Sequence, residues 1–152
     1  MSGLQIDRTK TAAANMLALI LTASTYAFTG TEFTVGAPSA QTPTDPTEPT
    51  NSQVTLTAVT GSGFTGTKTL RYARLAIGST RPGAKTTYTI TSADTMQTIT
   101  DAIAVEHNLV ESEVVVTGTI PAQGAPANPF TVTANAGSLL YTGQMTVQVV
   151  FP

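Results

Sequence analysis

One imidazole, His107, is the only side chain here whose ordinary pKa lies near neutrality. It follows Glu106 at the end of an expected helix, where the helix dipole favours a cation. No serine elbow and no spaced Asp partner accompany it, so a structural or solvent-facing role is expected rather than catalysis. The closest carboxylate pairs are Asp45 with Glu48, in a proline-rich run, and Glu111 with Glu113, at the start of an expected strand. Neither pattern sets a buried acid beside an ionised base, as acid–base hydrolysis requires. The chain has no Asp-x-Asp-x-Asp-Gly loop for calcium, and its dispersed acids do not make a magnesium site. Gly61-Ser62-Gly63-Phe64-Thr65-Gly66 invites a phosphate-loop reading but lacks the lysine and the strand-to-helix context. It reads instead as a hairpin connection, with Phe64 folding over the hairpin base as its later counterpart Tyr141 does. Lys68 and Arg71 are an odd number of residues apart, so a strand puts them on opposite faces and no basic stripe forms. Arg71 and Arg74 are expected to make interfacial salt bridges. No catalytic, cofactor-binding or metal residue is expected, and the protein is not expected to be an enzyme.

Composition narrows the classes further. The 152 residues contain no Cys, which excludes thiolate chemistry, disulfides and zinc knuckles. Seven basic against nine acidic residues give a net charge of −2 and no cationic face for nucleic acid. With 41% hydrophobic residues the chain can bury a core despite its low charge. Arg8 and Lys10 before the apolar run Ala12–Leu21 imitate a secretory signal, but Asp7 and Asn15 interrupt the pattern. The run is also shorter than the ~20 residues of a membrane span, so no membrane partner is expected. It reads as a buried amphipathic helix over 8–23, with Asp7 near its free N–H groups.

The elements that must position these residues come in two similar series. Thr55-Leu56-Thr57-Ala58-Val59-Thr60-Gly61-Ser62 leads to Phe64, Thr65-Gly66 and an alternating strand. Thr131-Val132-Thr133-Ala134-Asn135-Ala136-Gly137-Ser138 leads, with one insertion, to Tyr141, Thr142-Gly143 and another alternating strand. A proline-containing loop precedes each copy. A short strand precedes each loop, Glu32–Gly36 and Glu113–Gly118, and a helix precedes each strand, over 8–23 and 94–108. In the second helix Met96, Ile99 and Ile103, with Val105 as a further member, form the apolar stripe, and Asp94 is the expected N-cap. A strand opens each unit, Leu4–Ile6 and Tyr88–Ile90. The expectation is an α+β fold of two duplicated units, 1–78 and 79–152, each an antiparallel sheet of three to four strands with one packed α-helix. Strand alternation places Val54, Leu56 and Ala58 inward and Ser52, Thr55 and Thr57 outward. Threonine, about a fifth of the chain, suits half-solvated pleated faces without charge, and such weakly charged faces are suited to being covered by partners.

Segment 38–50 carries prolines at near-regular spacing with polar fillers, which favours extended polyproline II. It reads as a surface loop or as an arm across a neighbouring subunit. The stretches Asn51–Val59 with Gly61–Gly66 and Tyr72–Leu75, and Thr117–Pro121 leading to Ser138–Gly143 and Val147–Val149, resemble a repeat of virion structural proteins of large tailed bacteriophages. That resemblance contributes no catalytic or ligand residues. It implies a particle component located in the virion, a capsid decoration protein or a neck or tail accessory protein, whose partners are other virion proteins and copies of itself. The competing class is a secreted adhesin or carbohydrate-binding module. It would call for an exposed aromatic platform, against an aromatic content of 6% with no Trp.

Overall fold

A computed structural model describes residues 5–43 and 50–152. The first series is α1 (Ala12–Ala23), β1 (Phe33–Val35), β2 (Ser39–Ala40), β3 (Ser52–Ala58), β4 (Thr67–Tyr72) and β5 (Leu75–Ala76). After a 3-10 turn at Ile77–Ser79 come β6 (Thr87–Thr89), α2 (Met96–Glu106), a second 3-10 turn at Glu111–Glu113, β7 (Val114–Thr117), β8 (Asn128–Ala134), β9 (Tyr141–Thr142) and β10 (Gln144–Val150). The fold is α+β, as expected.

Both helices begin later than their apolar spacing indicates, and for one reason. A threonine hydroxyl accepts the free N–H of the first turn in each: Thr11 from Ala14, and Thr95 from Thr98. Asp7 is therefore not at a helix start. Its carboxylate takes the Thr9 N–H and hydroxyl and an ion pair with Lys10 at 3.2 Å. Asp94 likewise does not cap α2 but closes the preceding turn, accepting from the Thr91 N–H at 2.7 Å. Asn15, the polar break in the apolar run, is buried and fastens the lead-in to α1: it accepts from the Asp7 N–H at 2.8 Å and donates to the Asp7 and Thr11 carbonyls. Ala12, Met16, Leu19 and Ile20 form the buried stripe of α1, and Ile99, Ile103 and Ala104 that of α2. Val105 lies off that stripe and is half exposed.

The sheets show how alike the two series are. β3 lies between β4 on one side and β1 followed by β2 on the other, all antiparallel. β8 lies between β10 and β7, again antiparallel. The hairpins close identically: the Ala58 N–H donates to the Gly66 carbonyl and the Ala134 N–H to the Gly143 carbonyl, both at 3.0 Å. Gly66 and Gly143 hold φ of 84° and 77°, the left-handed region that favours glycine at such a closure. The Val59 N–H reaches the Glu32 carbonyl at 2.8 Å and the Asn135 N–H the Glu113 carbonyl at 2.9 Å.

The observed strands differ from the expected arrangement in four places. β6 joins β10 in parallel, since α2 carries the chain from β6 at one edge of the sheet to β7 at the other, and the two antiparallel steps from β7 to β8 and β8 to β10 bring β10 beside β6 in the same direction. Ser52 shares the face of Val54 and is fully buried, because residues two apart on a strand point the same way. Its hydroxyl donates to Asn51 Oδ1 and accepts from Arg74 Nε at 2.7 Å. Ser39–Ala40, inside the proline-rich segment, forms a strand with β3, while residues 44–49 of that segment lie outside the described residues. Of the expected opening strand Leu4–Ile6, Leu4 lies outside the described residues and Gln5 and Ile6 are in no strand.

The halves share one hydrophobic core, with Met16, Val54 and Tyr72 from the first and Ile103, Phe130, Val132 and Tyr141 from the second. β5 pairs with β9 in parallel across them. Tyr72 donates its hydroxyl to the Leu139 carbonyl at 2.9 Å, and Arg74 donates to the Ser138 carbonyl at 3.2 Å. Arg74 thus ties the halves through neutral acceptors rather than a salt bridge. Replacing Arg74 with Met, which keeps the stem but removes the donors, is expected to lower stability by about 1–3 kcal/mol, read from urea unfolding.

Gly118 is fixed by contact: a methyl built there would stand 2.6 Å from the ring of Phe130, a fully buried residue. Gly118→Ala is therefore expected to cost about 1–3 kcal/mol through overpacking. The double variant with Phe130→Leu should fall short of the sum of the two single losses in the same measurement.

Candidate functional site

Phe28 touches both Phe33 and Phe64, with ring centroids 5.5 and 5.3 Å apart, and Tyr26 continues the row at 6.3 Å. These rings wall a groove of about 710 Å³ that runs along the β3–β4 hairpin past the C-terminal part of α1. Leu56, Ala58, Leu70 and Ile20 supply further apolar lining, and Lys68 and Arg71 bring positive charge. Tyr26 is 68% exposed and Phe64 44%, so much aromatic surface is open to solvent.

A local clamp holds the rings in place. Glu32 accepts from the Thr29 N–H at 3.0 Å, the Thr29 hydroxyl at 2.8 Å and the Gly30 N–H at 2.9 Å, closing the turn between Phe28 and Phe33. These donors, the Thr29 N–H foremost, push the Glu32 carboxyl down to about 2. Gly30 sits at φ 92° against Leu17, where a side chain would collide. Glu32 is the only carboxylate lining the groove among the described residues. Ionised and committed to three donors, it has no proton to give at neutral pH. The groove thus sets aromatic and aliphatic walls beside two cationic side chains.

The residues singled out from the sequence are dispersed. Phe64 is in the groove, while Tyr141 is fully buried and its hydroxyl accepts the Val110 N–H at 3.0 Å. The two counterparts therefore differ in role, and only the first packs as an exposed wall. Lys68 and Arg71 both line the groove despite their odd spacing. Asp45 and Glu48 lie outside the described residues. Glu111 accepts from Gln97, whereas Glu113 accepts from the Ser138 hydroxyl and the Leu139 N–H at 2.7 and 2.6 Å, so the pair is divided between two structural tasks. No sequence motif singles out Tyr26, Phe28 and Phe33. Their signal is local: three of the nine aromatic residues fall within eight positions, a clustering that the chain-wide percentage hides.

His107 caps the C-terminus of α2, buried at 5% exposure, and its Nε2 has no hydrogen-bond partner among the described residues. The dipole argument for a cation there is outweighed: burial pushes the imidazole below its ordinary 6.5, with Glu106 and a bond to the Lys85 backbone opposing. The unfolded chain keeps the higher pKa and binds the proton first as pH falls. Stability is therefore whole above 6.5 and declines as pH drops from there through the folded value. The expected result is that the wild type loses urea stability between pH 7 and pH 5 relative to His107→Asn, the difference between the two chains vanishing as a slope above pH 7.

Among the described residues no cluster of three or more metal-ligating side chains occurs, and no helix is long and apolar enough to cross a membrane. Fold and groove together define an α+β protein built on two like ladders, with an aromatic recess on the first. The chain belongs to a family of unknown function, DUF7941, whose model matches residues 7–152. No curated protein and no solved structure matches it.

Proposed function

We propose that this chain is a non-enzymatic structural subunit of a tailed-phage virion, a capsid decoration protein or a neck or tail accessory protein, bound to other virion proteins and to copies of itself. The observation that carries the reading is the unequal finish of the two ladders. They share a three-strand antiparallel arrangement and a hairpin closure, yet the aromatic of the second hairpin is sealed inside the core while that of the first opens onto a groove. A pair of like hairpins with one closed and the other open leaves a contact surface on the body. The resemblance of both series to a virion repeat supports the same reading, as does a surface with few charges. A shell or tube repeats one contact many times, so each can be weak while the assembly holds by avidity.

A second reading has one observation in its favour. Tyr26 and Phe64 present exposed rings, and aromatic faces of this kind stack on sugar rings, as a secreted adhesin or carbohydrate-binding module requires.

Antibody-gold labelling of particles from the source lysate separates the two. Label over the head is the expected result for decoration, and label at the neck or tail keeps the structural role and moves its place. Label on cell envelopes with bare particles would overturn the virion reading in favour of the adhesin.

A further inference from the structure

We propose that the free edge of β4 takes an extended acidic strand from a different protein, laid antiparallel along the groove. β3 contributes to the groove only Leu56 and Ala58, which point to one face, whereas β4 contributes every residue from Thr67 to Arg71. Side chains of one face come from alternate residues, so a strand that lines a groove with consecutive residues meets it with its edge. β4 is bonded to β3 alone, and its residues are exposed apart from Leu70 and Tyr72.

The phase of the ladder decides which backbone groups are free. Antiparallel pairs alternate between bonded and non-bonded. The Ala58 N–H donates to the Gly66 carbonyl at 3.0 Å, and the register runs unbroken from Thr57 with Thr67 to Ser52 with Tyr72. Lys68 and Leu70 therefore turn their backbone groups toward β3, while Thr67, Thr69 and Arg71 turn theirs away. The other side of β3 agrees: Thr55 accepts from the Gly36 N–H and Val59 donates to the Glu32 carbonyl, so the odd-numbered residues of that chain stretch serve β1. The backbone groups of Thr67, Thr69 and Arg71 have no hydrogen-bond partner among the described residues. Donors and acceptors in such a row are a template for strand addition.

Charge selects the occupant. Residues opposite one another across a ladder share a face, so an added strand meets Lys68 on the groove face and Arg71 on the other. Neither cation makes an ion pair among the described residues. The β4 edge of a second copy would bring a second Lys68 and Arg71 and no carboxylate into the ladder, where like charges repel. A strand with one acid on each face, opposite the two cations, has the complementary sign. Apolar residues opposite Leu70 and Gly66 would then meet the rings of Phe28 and Phe64. This inference rests on the open edge and stands whether or not the virion reading does.

The probe is the fluorescein-labelled heptapeptide Thr-Glu-Val-Thr-Glu-Thr-Phe, whose residues fall in order opposite Tyr72 back to Gly66. Its fluorescence anisotropy is followed against the full chain at low salt. The expected result is saturable binding that weakens with salt and is about tenfold weaker for K68E/R71E, checked for folding by circular dichroism. That variant should regain binding with the peptide carrying Lys in place of both Glu. N-methylation of the peptide's central Thr, whose N–H faces the Thr69 carbonyl, should abolish binding, while N-methylation of its Val, whose N–H points away, should change it little. In amide exchange followed by NMR, Thr67, Thr69 and Arg71 should exchange fast in the chain alone and slowly with the peptide bound. No binding of the peptide, equal effects of the two methylations, or protection of those amides in the chain alone, by its own residues or by a second copy, would overturn the proposal.

Discussion

The constraint on which everything else rests is size. A half of about 75 residues buries a smaller share of its surface than a full-length domain does, and here the two halves complete one core between them. The solution is a common core, with Met16 and Ile103 from the two helices and Tyr72 and Phe130 from the two four-stranded sheets in one cluster. Sharing a core brings polar backbone to the boundary, and a buried N–H or carbonyl there must find a partner. The parallel pairing of β5 with β9, the Tyr72 bond to Leu139 and the Arg74 bond to Ser138 supply those partners. Burial raises the Tyr72 hydroxyl to about 12, which keeps it a neutral donor at that boundary.

The unequal treatment of two like hairpins has the same origin. The loop after β8 is drawn inward: Glu113 accepts from Ser138 and Leu139, and Tyr141 is turned into the core to meet Val110. The corresponding acid before β1, Glu32, cannot do the same, because its oxygens are spent on Thr29 and Gly30. With no carboxylate to draw it in, the loop after β3 stays outside, and Phe64 packs on Phe28 at the surface. The two glutamates, alike in position, thus serve different partners: Glu113 the closed hairpin loop, Glu32 the turn that carries the groove's rings.

Much of this was legible in the residues. Apolar spacing located both helices, and the Gly-Ser and Thr-Gly signals located both hairpins, because each depends on neighbours within a few positions. The fold class came from their order. What was not legible depends on choices among local alternatives. Threonine at 11 and 95 outcompetes nearby aspartates as cap, since both aspartates are drawn into their own turns. Parallel pairing of β6 and Tyr141 turning inward are set by contacts across half the chain. The groove escaped because its walls come from three separate segments, α1's exit, the turn before β1 and the β3–β4 loop, and no one of them carries a binding pattern. Lys68 and Arg71 both line it although strand parity puts them on opposite faces, because the groove runs alongside β4.

Function has to be argued from the groove, since an α+β body of this size serves many purposes. The groove holds aromatic rings apart from water only in part, and it sets two cations beside them. Among the described residues its one lining carboxylate, Glu32, is held in its ionised form by the Thr29 and Gly30 donors. Retaining half-exposed rings costs solubility, since an apolar patch invites association, and the chain carries few charges to oppose it. A surface of that kind is stable against aggregation when something regularly covers it. Repetition in an assembly provides such a cover at every copy, with weak contacts sufficing because they are many. The same aromatic face on an isolated secreted protein would need a ligand abundant enough to keep it occupied, and that difference in demand is the physical ground for placing the assembly reading first.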